Sequence, residues 1–307
     1  MSAFRSGGAY SPGRMAAATE SGSNTALKRV LAVAAILALL VALWEGYKLL
    51  GRATGGTWPF TELEMRPRPG NNSMPHVWDV VAALFGPHRR GGDPLILVMA
   101  SAVLFTLREA LVGFLVGGAF GFALGVLFVR SQATERAFMP YVVASQTIPI
   151  IAIAPMVVIW GRQLDVPSWL SVAVIAAFLT FFPVAINTVR GLRSPEATAT
   201  ELFHSYAASP SQRLWKLQVP AALPYIFTSM KISASASVVG AIVGELPAGF
   251  GEGLGRALLN YNQVFAADPT KLYAAVLMAA MGGIVFVGLI TLAERFTLAG
   301  RVREASL

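Results

Sequence analysis

Long apolar runs alternate with short polar segments along this chain. The runs cover about 30–50, 110–129, 138–160, 168–189, 224–246 and 272–296. A helix rises about 1.5 Å per residue, so each run is long enough to cross a hydrocarbon core of about 30 Å. The apolar residues are continuous rather than alternating, which favours helices over the strands of a membrane barrel. The pattern therefore predicts an all-α membrane protein with six transmembrane helices.

The N-terminal part divides into a polar tail, an anchor and a loop. Residues 1–26 are rich in Ser, Gly, Ala and Thr and are predicted to be a disordered tail, with the membrane domain at 27–307. The run from Val30 is too long for a signal-peptide core and lacks a small-residue cleavage site, so we interpret it as a retained anchor. Glu45 and Lys48, one turn apart near its far end, are expected to pair.

The longest polar loop follows, from Gly51 to Pro94. Within it, Pro75–Phe85 has the apolar spacing of a short amphipathic helix. His76 and His88 have no second ligand type at metal spacing, so no metal site is predicted.

Composition supports the membrane class. The chain is 55% hydrophobic and only 13% charged, which departs from soluble proteins in the direction of membrane proteins. It contains no cysteine, so disulfides and thiolate chemistry are excluded. The net charge of +8 is spread over the loops without an aromatic-rich basic stripe, which favours the surface of a lipid bilayer over nucleic acid as the partner.

The run 95–129 is longer than one span requires. Arg108 and Glu109 are expected to divide it and to form an ion pair at the outer lipid boundary. In the remaining run, 110–129, glycine recurs every fourth residue and makes a stripe that favours close packing of another helix, namely Gly113, Gly117, Gly121 and Gly125.

Polar side chains inside the spans are the candidates for a transport pathway. Gln146 and Thr147 lie beside Pro149, where proline frees backbone carbonyls, and we predict that they line the pathway. Helix packing is the alternative. One face of the fifth run either packs or faces water, and it carries Ser229, Ser233 and Ser237. Lys231 is deep in this run and is expected to extend its stem towards the membrane surface.

One polar segment between two apolar runs, 194–220, looks folded. We predict two short helices joined at Ala207–Ala208. Ser194 is expected to cap the first, and Ser209 with Gln212 forms the capping-box pattern of the second. The apolar residues gather on one face of each helix, Leu202, Phe203 and Tyr206 on the first and Leu214, Trp215 and Leu217 on the second.

This segment resembles the EAA loop of ABC importer permeases. Glu201-Leu202-Phe203, three residues, Ala207, nine residues and Leu217-Gln218-Val219-Pro220 keep the spacing of Glu-Ala-Ala, Gly and Ile-x-Leu-Pro, while several residue types differ. Other strings are similar to the nitrate, sulfonate, taurine and hydroxymethylpyrimidine branch of that family, namely Ala144-Ser145-Gln146-Thr147-Ile148-Pro149, Phe181-Phe182-Pro183 and Pro220-Ala221-Ala222-Leu223-Pro224-Tyr225-Ile226-Phe227.

The resemblance implies a type I ABC importer permease whose cytoplasmic coupling helix, in the loop 194–220 between spans 4 and 5, docks on an ATPase subunit. The expected coupling residues are Glu201, Leu202, Phe203, Tyr206, Ala207, Ser209, Leu214, Leu217 and Pro220. The expected partners are ATP-binding-cassette subunits, an extracytoplasmic binding protein that docks on loops near Pro75 and Gly251, and a second copy of the permease. The sequence contains no phosphate-binding Gly-x-x-x-x-Gly-Lys-Ser/Thr, so ATP is expected to be used by the partner, with no cofactor or catalytic residue on this chain.

The resemblance also implies a multi-pass protein of the bacterial inner membrane with both termini cytoplasmic. A modest excess of Lys and Arg on the predicted inner segments agrees with this orientation. The expected solute is small and polar or anionic, a sulfonate, nitrate, taurine or a pyrimidine precursor, with the pyrimidine precursor slightly favoured.

The sequence departs from the family pattern at the bend, and two other classes of membrane protein are the alternatives. The family has glycine where this chain has Ala207, and a left-handed bend at alanine costs about 1 kcal/mol, so we expect the bend to fall elsewhere or to be wider. An ion-gradient-driven secondary transporter would need buried acidic or histidine residues and inverted repeats, and Lys231 is the only deep charge in the predicted spans. A membrane enzyme would need a convergent set of catalytic groups, and the predicted spans contain no histidine.

Overall fold

A computed structural model describes residues 13–59, 61, 63–89, 91–248 and 252–304. Within these residues the regular structure is helical apart from two isolated β-bridges, which confirms the predicted all-α class. The helices are α1 (Gly13–Ala53), α2 (Val77–Phe85), α3 (Leu95–Arg130), α4 (Gln132–Ala144), α5 (Ile150–Gln163), α6 (Ser168–Leu192), α7 (Ala197–Ser205), α8 (Pro210–Arg213), α9 (Val219–Ala248), α10 (Leu254–Gln263) and α11 (Pro269–Glu304). The chain forms two compact units, one up to Asp79 and one from Val80.

The first unit consists of α1 and the loop that follows it. α1 begins at Gly13, so the predicted disorder does not hold from that residue onward, where alanines favour a helix. Residues 1–12 lie outside the described part. The stretch Val30–Ala53 is long and apolar enough to cross a membrane.

Glu45 and Lys48 do not pair with each other as predicted, because the loop supplies other partners. The Glu45 carboxylate accepts from the Val77 N–H at 3.1 Å and lies 2.6 Å from the His76 ring. Lys48 is buried and donates to Asn71 at 3.1 Å. These contacts hold the loop against the end of α1.

The second unit is built on close packing of α3, α6 and α9. All the glycines of the predicted stripe on α3 are buried against α6. A Cβ at Gly113 would lie 2.5 Å from the Ala173 carbonyl oxygen, and a Cβ at Gly117 would lie 2.8 Å from the Ala177 Cα. Neither position has room for a side chain, which confirms the packing role of the stripe.

α3 is continuous, so the prediction that Arg108 and Glu109 divide it is wrong. Neither side chain forms the predicted Arg108–Glu109 ion pair, and Arg108 is exposed. The Arg108 guanidinium lies over the Trp169 ring at 4.9 Å, and Glu109 is buried. The membrane-crossing helix therefore begins at Leu95 rather than at Ala110.

The predicted third span is a pair of helices, α4 and α5, bent by 99°. A turn of 3₁₀-helix at Ser145–Thr147 ends the first helix, and Ile148 is extended before Pro149. Proline disfavours the α-helical conformation of the residue before it, so the chain breaks here instead of kinking. Among the described residues, five helices are long and apolar enough to cross a membrane, and the number reaches the predicted six if this bent pair counts as one span.

α7 and α8 lie at one end of α9, and α10 lies at the other end. A π-helical turn, Leu214–Gln218, joins α8 directly to α9. α10 packs on α3, α9 and α11 through a cluster that includes Leu254, Tyr261, Leu95 and Met278. Gly253 and Gly255 at the start of α10 are buried, while Gly249 and Gly251 lie outside the described residues.

Candidate coupling segment and transport site

Local hydrogen bonds define the two short helices of the candidate coupling segment, α7 and α8. The capping box of α8 is confirmed, since the Ser209 hydroxyl accepts from Gln212 N–H at 3.2 Å and the Gln212 side chain accepts from Ser209 N–H at 2.8 Å. The predicted Ser194 cap of α7 is wrong. The Ser194 hydroxyl donates to the Gly191 carbonyl at 2.8 Å, and α7 starts behind Glu196.

The bend between the two helices lies at Ala207, which has a φ of 50°. The Ala208 N–H donates to the Phe203 carbonyl at 3.0 Å, and the Ala207 N–H donates to the His204 carbonyl at 2.9 Å. This pair of bonds is the Schellman arrangement, with alanine in the left-handed position that glycine usually occupies. The expectation that the bend falls elsewhere is therefore wrong, because the two hydrogen bonds offset the cost of the left-handed conformation.

The apolar residues of the segment divide into exposed and anchoring groups. Tyr206 is 79% exposed, Trp215 57% and Leu202 53%, so a large apolar area is open to a partner. Leu214 is 3% exposed and packs with Leu192 and Ala222. It anchors the segment to the bundle, which corrects its prediction as a docking residue.

The other predicted coupling residues are intermediate or exposed. Phe203, Leu217 and Pro220 are half-buried, while Glu201, Ala207 and Ser209 are exposed. The His204 ring contacts the Arg213 guanidinium at 3.3 Å, which brings α7 and α8 together. For the exposed and half-buried residues, the coupling role stays a prediction.

The predicted pathway residues fall into two groups. Gln146 and Thr147 lie in the 3₁₀ turn at the α4–α5 bend, and both are exposed. The three serines of α9 are fully buried and bond to backbone carbonyls, namely Ser229 to Ile226, Ser233 to Thr180 and Ser237 to Ala234. For the serines, the structure favours the packing alternative over a pathway-lining role.

A buried polar cluster that the sequence analysis missed joins α3, α9 and α10. The Thr106 hydroxyl donates to Glu245 Oε1 at 2.6 Å, and the Leu254 N–H donates to the same hydroxyl oxygen at 2.8 Å. The Gly255 N–H donates to Glu245 Oε2 at 2.5 Å. The buried Glu109 carboxyl group lies beside Glu245, and its Oε2 atom has no hydrogen-bond partner among the described residues. A charged residue inside the apolar run 95–129 was the available signal, but it was interpreted as the end of a span.

A further ion pair lies nearer the α7–α8 end of the bundle. The Lys231 ammonium donates to Glu294 on α11 at 2.8 Å. Lys231 therefore has a protein partner rather than only extending its stem to the surface. The pair ties α9 to α11 within the apolar part of both helices.

A charged cavity of about 970 Å³ opens at the α10 end. His88, Arg89, Arg256 and Lys271 are among its lining residues, and the His88 ring lies 2.7 Å from the Tyr261 hydroxyl. Burial lowers the pKa of His88 below its ordinary value of 6.5, and the positive charges of Arg89 and Lys271 lower it further. The imidazole is therefore neutral near pH 7.

Comparisons with known proteins place this architecture in a family. Residues 117–298 match the profile of the binding-protein-dependent transport system inner membrane component. The formylaminopyrimidine transport permease of Halalkalibacterium halodurans is 33% identical over 74% of this chain and 92% of its own length. The riboflavin transport system permease of Chloroflexus aurantiacus is 34% identical over 59% of this chain and 68% of its own length.

A solved structure shows the same fold. The crystal structure of an amino acid ABC transporter with histidines superposes with a TM-score of 0.52 and 16% sequence identity, over 65% of this chain and 94% of that one. The helical bundle, the bent pair and the capped segment before α9 thus define a multi-pass membrane permease. The chain belongs to the family of inner membrane components of binding-protein-dependent transport systems, and it is the permease component of an ABC importer for a small solute.

Proposed function

We propose that the segment 194–220 is the cytoplasmic docking site for an ATP-binding-cassette subunit, which hydrolyses the ATP that drives import. The observation that carries this proposal is an exposed apolar group formed by Leu202 and Tyr206 at α7 and by Trp215 in the π-helical turn that leads directly into α9. Such a group is open to a protein partner, and its anchor, Leu214, fixes it to the bundle. On this assignment both termini are cytoplasmic, and this chain binds no cofactor.

The permease acts as a homodimer in this proposal. Six membrane crossings are few for a complete transport pathway, so two copies of the permease surround one shared pathway. Gln146 and Thr147 of each copy face this pathway. Their exposed positions at the α4–α5 bend support this role, since backbone outside a regular helix is tolerated in a membrane where it lines a cavity. An extracytoplasmic binding protein delivers the solute at the α10 end.

The proposed solute is a small nitrogen heterocycle. Relatives that are 33% and 34% identical are permeases for a formylaminopyrimidine and for riboflavin, and both of these solutes contain nitrogen heterocycles. Uncharged amide and hydroxyl groups at Gln146 and Thr147 can hydrogen-bond such rings without a charged partner. A binding screen with the cognate binding protein against aminopyrimidines, riboflavin, taurine, an alkanesulfonate and nitrate tests this assignment.

A docking variant tests the site itself. Trp215→Asp places a charge in the exposed apolar group, and we expect it to reduce co-purification of the ATPase subunit at least about tenfold. The matched control is Phe85→Asp on α2, which changes a similarly exposed aromatic residue and should leave co-purification unchanged. Equal recovery of the ATPase with both variants would contradict the docking role.

A further inference from the structure

The carboxylate of Glu245 binds the N-terminus of α10. Glu245 is 5% exposed and lies near the end of α9. It accepts hydrogen bonds directly from the backbone of Gly255 and, through the Thr106 hydroxyl, is linked to the backbone N–H of Leu254. The first turn of a helix has unpaired N–H groups and a partial positive charge, so a carboxylate in this position stabilises it. Here that carboxylate comes from a different helix.

The glycines beside this contact have no room for a side chain. A Cβ at Gly253 would overlap the Glu245 carboxylate, and a Cβ at Gly255 would lie 2.8 Å from the Glu245 Cβ. The backbone of α10 is therefore seated directly on the Glu245 side chain. Because the carboxylate and the start of α10 approach this closely, we expect them to move together, and we call this contact the joint.

Glu109 adds a second buried carboxyl group beside Glu245. A hydrogen bond between two carboxyl groups requires one proton. Glu245 already accepts from Thr106 and from the backbone of Gly255, whereas Glu109 Oε2 has no partner among the described residues. In a hydrogen bond between these two carboxyl groups, Glu109 is therefore expected to donate the proton and Glu245 to accept it.

α9 connects this joint to the coupling segment. The helix runs without interruption from Val219, next to the π-helical turn, to Ala248, and its 30 residues span about 45 Å. α10 supplies Arg256, Asn260 and Tyr261 to the wall of the charged cavity, and α3 supplies Ser101. α10 also packs on α9, and the Glu245 contact adds a direct side-chain link through which a displacement of α9 along its axis reaches the start of α10.

We propose that Glu245 is a positioning residue that fixes α10 to α9, so that movement of the coupling segment opens and closes the charged cavity at the opposite end of the permease. The proposal rests on the docking role of segment 194–220. In this proposal α10 is a gate that moves with α9, and the Thr106 hydroxyl bridges Glu245 and the Leu254 N–H.

Spin labels in the cysteine-free chain test this joint. Ser101→Cys on α3 and Asn260→Cys on α10 place labels on exposed residues of the cavity wall, and the full-length permease is studied in lipid nanodiscs. For the permease alone, Glu245→Gln should broaden the label distance distribution about twofold, because the amide NH₂ faces backbone donors. Glu109→Gln keeps a donor towards Glu245 and should leave the width unchanged. A Glu245→Gln distribution as narrow as that of the parent overturns the proposal.

A second readout separates positioning from general stability. With the ATPase subunit and the binding protein present, Glu245→Gln should retain ATP hydrolysis within about twofold while solute uptake falls about tenfold, so the ATP consumed per solute rises. Unchanged solute uptake by the Glu245→Gln variant would overturn the proposal that Glu245 fixes α10 to α9. If Glu245→Gln does not fold, Thr106→Val takes its place, and the same broadening and loss of coupling are expected. If the distance between the two labels in the otherwise unmutated permease does not change when the ATPase subunit and ATP are added, the proposed function is overturned. The width of the distance distribution in the permease alone still tests whether Glu245 fixes α10 to α9.

Discussion

Arg193 and Glu135 form a bidentate ion pair between the end of α6 and the first turn of α4. Arg193 Nη1 lies 2.9 Å from Glu135 Oε1, and Nη2 lies 2.5 Å from Oε2. Arg193 directly precedes the segment that leads into α7. The pair therefore ties the start of the candidate coupling segment to the bent helix pair that carries Gln146 and Thr147.

Replacing Arg193 by lysine should weaken this tie, because an ammonium group cannot make the two parallel bonds of a guanidinium. Arg193 is half exposed, so we expect a small effect on stability and a roughly threefold loss in uptake at equal ATPase binding. Uptake in proteoliposomes is the measurement. A double-mutant cycle with Glu135→Gln checks the pair, and losses that simply add would contradict it.

Ala207→Gly should stabilise the bend between α7 and α8. Glycine adopts a φ of 50° without the steric cost that alanine carries, a gain of about 1 kcal/mol that is partly offset by the greater freedom of glycine in the unfolded chain. Slower amide exchange of Tyr206 and Ala208 is the expected observation. Ala208→Gly is the control, and it should speed exchange since Ala208 is not in the left-handed region.

The glycine stripe gives a matched pair of packing variants. Gly117→Ala places a methyl group 2.8 Å from the Ala177 Cα, so we expect a loss of about 1–3 kcal/mol and a lower thermal midpoint in detergent. The neighbour Gly118 has nothing within 4 Å of an added Cβ. Gly118→Ala should be neutral or slightly stabilising, and equal midpoints for the two variants would refute the close α3–α6 contact.

The ring of His88 should titrate below pH 6.5 because burial and the charges of Arg89 and Lys271 disfavour its protonation. The chain has three histidines, so His76→Gln with His204→Gln leaves one imidazole signal for NMR. Removing the nearby charge with Arg89→Gln should move the titration upward. The folded state takes up this proton less readily than the unfolded chain does, so acidification through this range reduces stability. A midpoint unaffected by Arg89→Gln would contradict the electrostatic part of this account.

Much of the bundle could be predicted from the sequence because continuous apolar runs have few alternatives in a bilayer. The capping box at Ser209 and the packing stripe on α3 were also predictable, since both depend on residues within one helix. The break at Pro149 was visible, but its 99° angle is a property of how α4 and α5 pack.

The polar clusters could not be predicted because they join distant parts of the chain. Thr106 and Glu245 are 139 residues apart in the sequence. Without that contact, a carboxylate in an apolar run indicates the end of a span. The same limit applies to Leu214, whose burial depends on Leu192 and Ala222, and to the serine face of α9, whose periodicity suits packing and water equally.

The glycine contacts between α3 and α6 also restrict which parts of the permease can move. At Gly113, Gly117, Gly121 and Gly125 the backbone of α3 lies directly against residues of α6, and sliding by one residue would bring larger side chains into at least three of these positions. The two helices therefore form a fixed frame. On the proposed function, the relative motion that transport requires is left to elements outside the α3–α6 pair, such as the bent pair α4–α5.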